Sequence, residues 1–494
     1  MKYLLVFLFF CLSQILSAQP KIEIRAAWLT VNYGLDWPKK PFKTKNDIEI
    51  QKNELNRILD RLKDININMV FLQTRIRGDV IYPSKIEPFC EYVRSVYATT
   101  GYDPLQYAVE ACHKRGIECH SWFVVYPMGS ETRSKKLNRT FADLKRKNLI
   151  KSFKNSLYLD PGNPQTDEYL LSLVKELVSN YDIDGIHFDY IRYPDAPATF
   201  PDNENFKRYG QGKNKSDWRR ENINCFVYKS YDLVKSLKPW VQVSSSVIGM
   251  YKEILGNNRR HWTAFNSVFQ DPVDWLRKEK HDFIVPMNFY SDALFYPFVR
   301  DWASNIKNRY IVSGLGVYRM DPKESHWSAS MLYDQVNFSR ELKIQGNAFF
   351  RTTHLLDKTY GFGNGLYTRF YSSPALLPPL SWMSTSTPDV PSAPLVYIKD
   401  SFLHLEWQKL AIKNGQQIFY NLYRSKSIPV DINNPKNLIA IRIENNYYQL
   451  PVENRNESGY YYVITCFDRY HNESAGSEPV YFSQSRRVSR IRAK

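Results

Sequence analysis

Short apolar runs alternate with amphipathic stretches from Ile24 to Phe370, the pattern of strand–helix repeats laid over a parallel sheet. Strands are predicted over residues 26–31, 69–74, 118–124, 185–189, 241–246, 283–288, 311–315 and 348–351. Between them, Leu55, Ile58, Leu59 and Leu62 keep the i, i+3, i+4, i+7 spacing of a helix face. The run Leu170, Leu173, Val174, Leu177, Val178 and Tyr181 is similar, and Phe226, Val227, Leu233, Val234 and Leu237 follow the spacing more loosely. Asp103-Pro104 and Asp271-Pro272 predict helix starts, Asp as the cap and Pro in the first turn. Eight such units fit a closed (β/α)8 barrel with insertions. An open doubly wound sheet is the alternative, but no Gly-rich phosphate loop follows the first strand.

After Phe370 the period changes. Residues 374–394 carry Pro-Pro, Ser-Thr-Ser-Thr-Pro and Pro-Ser-Ala-Pro, which predicts a linker or a surface strap. Beyond it, 404–407, 419–423 and 460–465 are short aromatic and β-branched runs divided by turn residues. The expected fold class is therefore α/β: a TIM barrel over 19–373, then a small all-β, immunoglobulin-like sandwich over 395–484 and a basic tail over 485–494. The second unit resembles a fibronectin type III domain in Tyr420-Asn421-Leu422-Tyr423-Arg424-Ser425 and in Tyr462-Val463-Ile464-Thr465 followed by Asp468-Arg469. Such modules space or dock enzymes.

The densest chemistry lies in Asp182-Ile183-Asp184-Gly185-Ile186-His187-Phe188-Asp189-Tyr190-Ile191-Arg192-Tyr193-Pro194. Alternation along the strand puts Gly185, His187 and Asp189 on one face and Ile186 and Phe188 on the other, with Asp184 also outward. An apolar outer face and a polar inner face ending in Asp deliver a carboxylate to the C-terminal rim of a barrel. The competing reading has Asp189 capping the following helix.

Composition narrows the setting. Residues 1–18 have one Lys, an apolar run over 3–11 and then Leu16-Ser17-Ala18, a secretory leader cut after Ala18. No later stretch has the apolar length of a membrane span, so the expected location is exported: periplasmic, cell-surface or secreted. The net charge of +17 favours an acidic neighbour. Its local concentrations, 133–154 and 486–494, read mainly as solvated segments. No nucleic-acid motif accompanies the charge, and a nucleic-acid partner is not expected. Cys90, Cys112, Cys119, Cys225 and Cys466 remain after the leader, an odd number without scaffold-like spacing. They are expected as buried thiols, with a Cys112–Cys119 pairing as the alternative. Nine scattered His with no metal spacing argue for no metal and no cofactor.

The chain resembles the glycosyl hydrolase-like 10 family, also catalogued as domain of unknown function 187. The likeness runs over residues 23–382 and rests on dispersed pieces. They are Glu23-Ile24-Arg25-Ala26-Ala27-Trp28-Leu29-Thr30, Leu35-Asp36-Trp37-Pro38, Tyr82-Pro83-Ser84-Lys85 with Glu87-Pro88, and Gly101-Tyr102-Asp103-Pro104. Later pieces are His120-Ser121-Trp122-Phe123, Leu159-Asp160-Pro161-Gly162, Asp217-Trp218-Arg219-Arg220 and Pro286-Met287-Asn288-Phe289-Tyr290. The resemblance implies an exported bacterial barrel of glycoside-hydrolase type acting on polysaccharide, some members being associated with peptidoglycan glycan strands. Two positions depart from the family pattern. Tyr190 stands where a second Asp is common, and Val124-Val125-Tyr126-Pro127 follows Trp122-Phe123 where Asn-Pro-Tyr is common.

Hydrolysis of a glycosidic bond takes an acid for the leaving oxygen and a second carboxylate as nucleophile or base. Asp189 is the first candidate. His187 could hydrogen-bond it or a sugar hydroxyl, and a pairing with Arg192 would keep it ionised; the alternative for Arg192 is a structural salt bridge at the rim. The second carboxylate is sought among Glu87, Asp79 and Asp271, with Glu87 placed first. Sugar contacts are expected from Asn32, Gln73, Arg75, Trp122, Tyr126, Tyr190, Asn288, Tyr290, Tyr318 and Arg351, with Trp122 stacking on a pyranose face. The leading reading is an exported glycoside hydrolase with a polysaccharide substrate, an anionic cell-wall glycan such as peptidoglycan first. The alternative is a non-catalytic saccharide-binding protein on the same barrel. A glycan deacylase finds no Gly-x-Ser-x-Gly elbow in its support.

Overall fold

The computed structural model describes residues 19–483 and 486–490, apart from 43, 94–99, 135–138, 255–260, 306–307, 412–416 and 453–458. The predicted leader lies outside the described residues, as do 485 and 491–494 of the basic tail. Eight parallel strands close on themselves. They are β1 (Ile24–Leu29), β2 (Met69–Arg75), β3 (Glu118–Val124), β4 (Gly185–Asp189), β5 (Gln242–Ile248), β6 (Phe283–Met287), β7 in two pieces (Tyr310–Ile311 and Ser313–Leu315) and β8 (Gly346–Phe349). Closure falls at β1, where Ala26 faces Met69 of β2 on one side and Ala348 of β8 on the other. The strand begins two residues before the predicted start because Ile24 pairs with Gly346. It stops at Leu29 because the Asp36 carboxylate takes the Thr30 N–H at 2.9 Å and turns the chain into a loop.

Alternation sorts the side chains into two cores. Trp28, Phe71, Trp122, Phe283, Val285 and Val312 pack inside the barrel. Leu29, Leu72, Phe123, Ile186, Phe188 and Val243 face outward, against helix residues such as Leu55, Leu59, Val174, Leu177 and Phe226. The helices start as their sequences direct: the Asp103 carboxylate accepts from the N–H groups of Leu105 and Gln106, and Asp271 from that of Asp274. Gly185 is required by the interior, since a Cβ there would come within 2.2 Å of the His120 ring.

One element is absent from the sequence-based expectation. Pro127–Ser130, Ile150–Phe153 and Ser156–Leu159 form a small antiparallel sheet after β3. Its strands are four residues each, too short for a period to register, and only Ile150–Phe153 lies within the Lys/Arg-rich stretch 133–154 read as solvated. Among the described residues, Cys90, Cys112, Cys119, Cys225 and Cys466 are all thiols outside any disulfide, so the Cys112–Cys119 pairing does not form.

The C-terminal part is all-β. Leu395–Lys399, Phe402–Glu406 and Tyr447–Pro451 make one antiparallel sheet, and Leu438–Ile443, Phe419–Ser425, Tyr460–Phe467, Val480–Ser483 and Arg486–Arg490 make the other. Val396, Leu403, Leu405 and Trp407 meet Tyr420, Leu422, Tyr462 and Ile464 in a common core. The Pro-rich segment before it behaves as a strap: Ala375 and Leu380 are buried, and Glu23 N–H donates to Leu376 O at 2.9 Å.

The two parts join at the N-terminal end of the barrel through buried charge. Glu118 accepts from His471 at 2.8 Å, from Arg442 at 2.9 Å and from Gln242 at 3.0 Å, and Arg442 also holds Asp184. His471 faces a carboxylate on one ring nitrogen and the Pro378 carbonyl at 3.0 Å on the other, so both nitrogens donate and the ring is an imidazolium. Burial opposes its charge, but Glu118 outweighs burial and raises the pKa. Burial likewise opposes the Glu118 charge, and His471, His120 and Arg442 together pull that carboxyl well below the usual range. Stabilisation from His471 is complete below the ordinary imidazole pKa and is lost as pH rises through the raised value. That from Glu118 is complete above the ordinary carboxylate range and is lost as pH falls through the depressed value. Thermal unfolding midpoints should therefore hold a plateau and fall on both sides, and His471→Asn should lower the plateau and remove the alkaline decline. Midpoints in which the alkaline decline survives that substitution would contradict the assignment.

Candidate active site at the C-terminal mouth of the barrel

The C-terminal ends of the strands surround a cleft of about 400 Å³. Asp189 ends β4 at its floor, only 6% exposed. One carboxylate oxygen accepts the Trp122 indole N–H at 3.0 Å, and the other accepts the Tyr190 backbone N–H at 2.7 Å. Burial raises its pKa, against the Tyr190 hydrogen bond, the Arg192 charge and the Trp122 hydrogen bond. Asp189 is thus biased toward the protonated form, which suits an acid that protonates a leaving oxygen.

The chain breaks immediately after it. Tyr190 takes a left-handed conformation, φ 51°, which turns its N–H back onto Asp189 and leaves its ring 39% exposed at the rim. Ile191 and Tyr193 are buried in the outer core, and Tyr193 N–H donates to Val268 O at 3.1 Å. Arg192 lies between the rings of Tyr190 and Trp262, 4.7 and 5.1 Å from their centroids. Its guanidinium donates to Asp195 at 2.7 Å. Of the two readings of Arg192, the structure shows the rim salt bridge and not the pairing with Asp189: the turn at Tyr190 carries Arg192 to Asp195.

Five of the expected residues line the cleft together: Asn32, Gln73, Trp122, Asp189 and Tyr190. The Gln73 carbonyl oxygen accepts from Thr30 Oγ1 and from the N–H groups of Val31 and Asn32, at 2.9–3.0 Å, and so fixes the loop after β1. The Asn32 amide oxygen finds no hydrogen-bond partner among the described residues. Trp122 is committed by its indole N–H to Asp189 and meets Phe350 edge-on at 6.4 Å, so it forms part of the cleft wall.

The others lie elsewhere. His187 is wholly buried below Asp189, stacked on Phe71 at 3.9 Å. Its Nε2 accepts the Trp28 indole N–H at 3.1 Å, so the proton is on Nδ1, which donates to Ser244 Oγ at 2.9 Å. Burial and the neighbouring His120 and His281 hold its pKa well below the ordinary value. His187 is a neutral strut of the floor, with its hydrogen-bonding atoms spent on the barrel.

Glu87 and Arg75 form a fully buried ion pair at 2.6 and 2.8 Å, and Tyr169 donates to the same carboxylate at 2.6 Å. Neither lines the cleft, which corrects the placement of Glu87 as second acid. Tyr126 is buried against Phe226 on the outer side of the barrel. The Asn288 amide N–H donates to Ser313 Oγ at 3.1 Å within the strand ends. Tyr318 stands behind the cleft wall, edge-on to Phe350 at 5.5 Å. Tyr290 and Arg351 flank the wall residues Phe289 and Phe350 without lining the cleft themselves. Asp271 is the helix cap and accepts from Tyr251 at 2.7 Å, and Asp79 accepts the Arg77 N–H at 3.0 Å in a turn.

The cleft gains residues that the sequence reading missed. Ser156, Leu157 and Tyr158 come from the small antiparallel sheet, Phe289 and Phe350 follow β6 and β8, and Asp195 follows the β4 motif. Asp195 was within reach, one residue past the motif's final proline. A cleft of the same volume opens at the opposite end, beside Arg442 and His113. Residues at that end of a barrel serve stability, while those at the C-terminal end carry chemistry.

Comparison with known proteins gives the family and supports the fold. The profile described as "Glycosyl hydrolase-like 10" matches residues 23–325. A curated relative, "Glycosyl hydrolase YngK" of Bacillus subtilis, is 29% identical over 486 residues, covering 94% of each chain. "Glycosyl hydrolase DigH" of Escherichia coli K12 is 28% identical over 375 residues, 69% of this chain and 84% of that protein. Among solved structures, the PgaB (BpsB) glycoside hydrolase domain from Bordetella bronchiseptica covers 70% of this chain and 98% of its own, with a TM-score of 0.51 and 14% identity. That last likeness concerns the fold alone. A parallel barrel with a buried carboxyl at the mouth of its fourth strand, matched over most of its length, places the chain in the glycosyl hydrolase-like 10 family.

Proposed function

We propose that this chain is an exported glycoside hydrolase that cleaves a polysaccharide, with peptidoglycan glycan strands the first substrate to try. The observation that carries the reading is Asp189: buried, raised in pKa, and held by Trp122 and Tyr190 at the floor of an open cleft. Departure of a sugar alkoxide requires a proton, and burial favours the protonated form of this carboxyl. The family, and the relatives named as glycosyl hydrolases, support the same reaction class. The leader over 1–18 supports export, and no helix among the described residues is long and apolar enough to cross a membrane. The net charge of +17 suits an anionic wall polymer. We read the C-terminal sheets as a fibronectin type III-like module that docks on the barrel base.

The purified mature chain, incubated with peptidoglycan glycan strands and plant and algal polysaccharides, should release soluble reducing sugars from at least one. Release from none, with retention on one of them, would favour the saccharide-binding reading.

A further inference from the structure

We propose that Asp195 is the second carboxylate of this cleft and acts as the base that takes a proton from the attacking water. The assignment rests on the glycosidase reading above. Among the described residues lining the cleft, only Asp189 and Asp195 carry carboxylates. The other acids near strand ends are spent: Glu87 on Arg75, Asp271 on its helix cap, Asp36 on the N–H groups of Thr30 and Thr353.

The environments of the two acids are opposite. Asp189 is buried and carries only neutral hydrogen-bond donors. Asp195 has a side chain 70% exposed, in contact with solvent, and one oxygen fixed by Arg192 at 2.7 Å. The remaining oxygen is left to solvent and ligand. Arg192 is itself 7% exposed and clamped between Tyr190 and Trp262, and Ile191 and Tyr193 anchor the same turn in the core. A carboxylate on a surface loop is thereby given a defined position. Two carboxyl groups in environments this different divide the acid and base roles between them.

In the reaction, the Asp189 O–H gives its proton to the glycosidic oxygen as the bond from that oxygen to the anomeric carbon breaks, the electron pair leaving with the oxygen. Water oxygen bonds to the anomeric carbon, and its proton passes to Asp195. The site ends with Asp189 ionised and Asp195 protonated, and exchange with solvent restores both. Arg192 is a positioning residue.

The test uses the full mature chain and the polysaccharide of the above panel that it degrades fastest. Asp195→Asn should lower kcat by about 10² to 10⁴ with KM changed little, the usual contribution of a positioned base. It should also flatten the acid limb of the kcat/KM profile. In Asp195→Ala, sodium azide or formate should restore part of the turnover, which a merely structural role would not allow. Activity of Asp195→Asn within a few-fold of wild type would overturn the proposal. So would a large loss with the acid limb intact and no rescue by either anion. If wild type degrades no polysaccharide, the hydrolase reading falls and this assignment with it. If wild type is active and Asp189→Asn is not, while Asp195→Asn turns over normally, this assignment alone falls.

Discussion

Asp189→Asn is expected to lower the rate of glycan cleavage by at least about 10³, with oligosaccharide affinity held within a few-fold. The amide keeps the side-chain shape and still offers an oxygen to the Trp122 or Tyr190 donor, so the cleft should survive. What it lacks is the transferable proton. Because burial raises the Asp189 pKa, the folded state binds this proton more firmly than the unfolded chain. Its contribution to stability therefore falls as pH rises through the ordinary carboxylate range to the raised value. The variant should lose that slope and be as stable as wild type or more so, the usual result when a strained functional group is removed. Activity of the wild type should decline over the same rise in pH, as the acid ionises. Comparing kcat, oligosaccharide affinity and unfolding midpoint in one preparation separates these outcomes. Loss of activity together with a large loss of stability would make Asp189 a structural residue.

The second large effect is expected at Glu87, on stability. Glu87→Gln leaves the Arg75 guanidinium buried without its counter-charge, which costs about 3–5 kcal/mol for pairs of this kind. Burial pulls the Arg75 pKa down and Glu87 outweighs it, so the arginine depends on this one carboxylate. Its other partners are the carbonyls of Val124 and Val125, at the end of β3, and Met128 Sδ. The change should therefore loosen β2, β3 and the loop between them, and denaturant midpoints should fall accordingly. Turnover per folded molecule should stay within a few-fold of wild type. Turnover abolished at unchanged stability would return Glu87 to the position of a reacting group.

The two carboxylates show where sequence is legible and where it stops. Asp189 could be read because strand parity is local: Gly185, His187 and Asp189 face inward whatever surrounds them. The barrel was readable for the same reason, through inner and outer alternation in its strands and Asp-Pro caps on its helices. Glu87 was misplaced because its surroundings come from elsewhere in the chain, Tyr169 from the helix Pro164–Asn180 and Arg75 from β2. His187 lay on the correct face but one layer too deep, and depth is set by Trp28, Ser244 and Ser246 on two other strands. The partner of Arg192 depended on a single left-handed residue, Tyr190, whose identity does not announce that conformation. The small antiparallel sheet escaped because strands of four residues carry too little pattern.

The role of Asp189 is tested most directly by leaving-group dependence. Asp189→Asn and wild type are compared on the glycan they cleave and on the dinitrophenyl glycoside of the same sugar, whose leaving group departs without a proton. The account predicts a loss of about 10³ or more on the glycan and a far smaller loss on the dinitrophenyl glycoside. Equal losses on both would contradict it, because an acid that donates to the leaving oxygen is dispensable when that oxygen needs no proton.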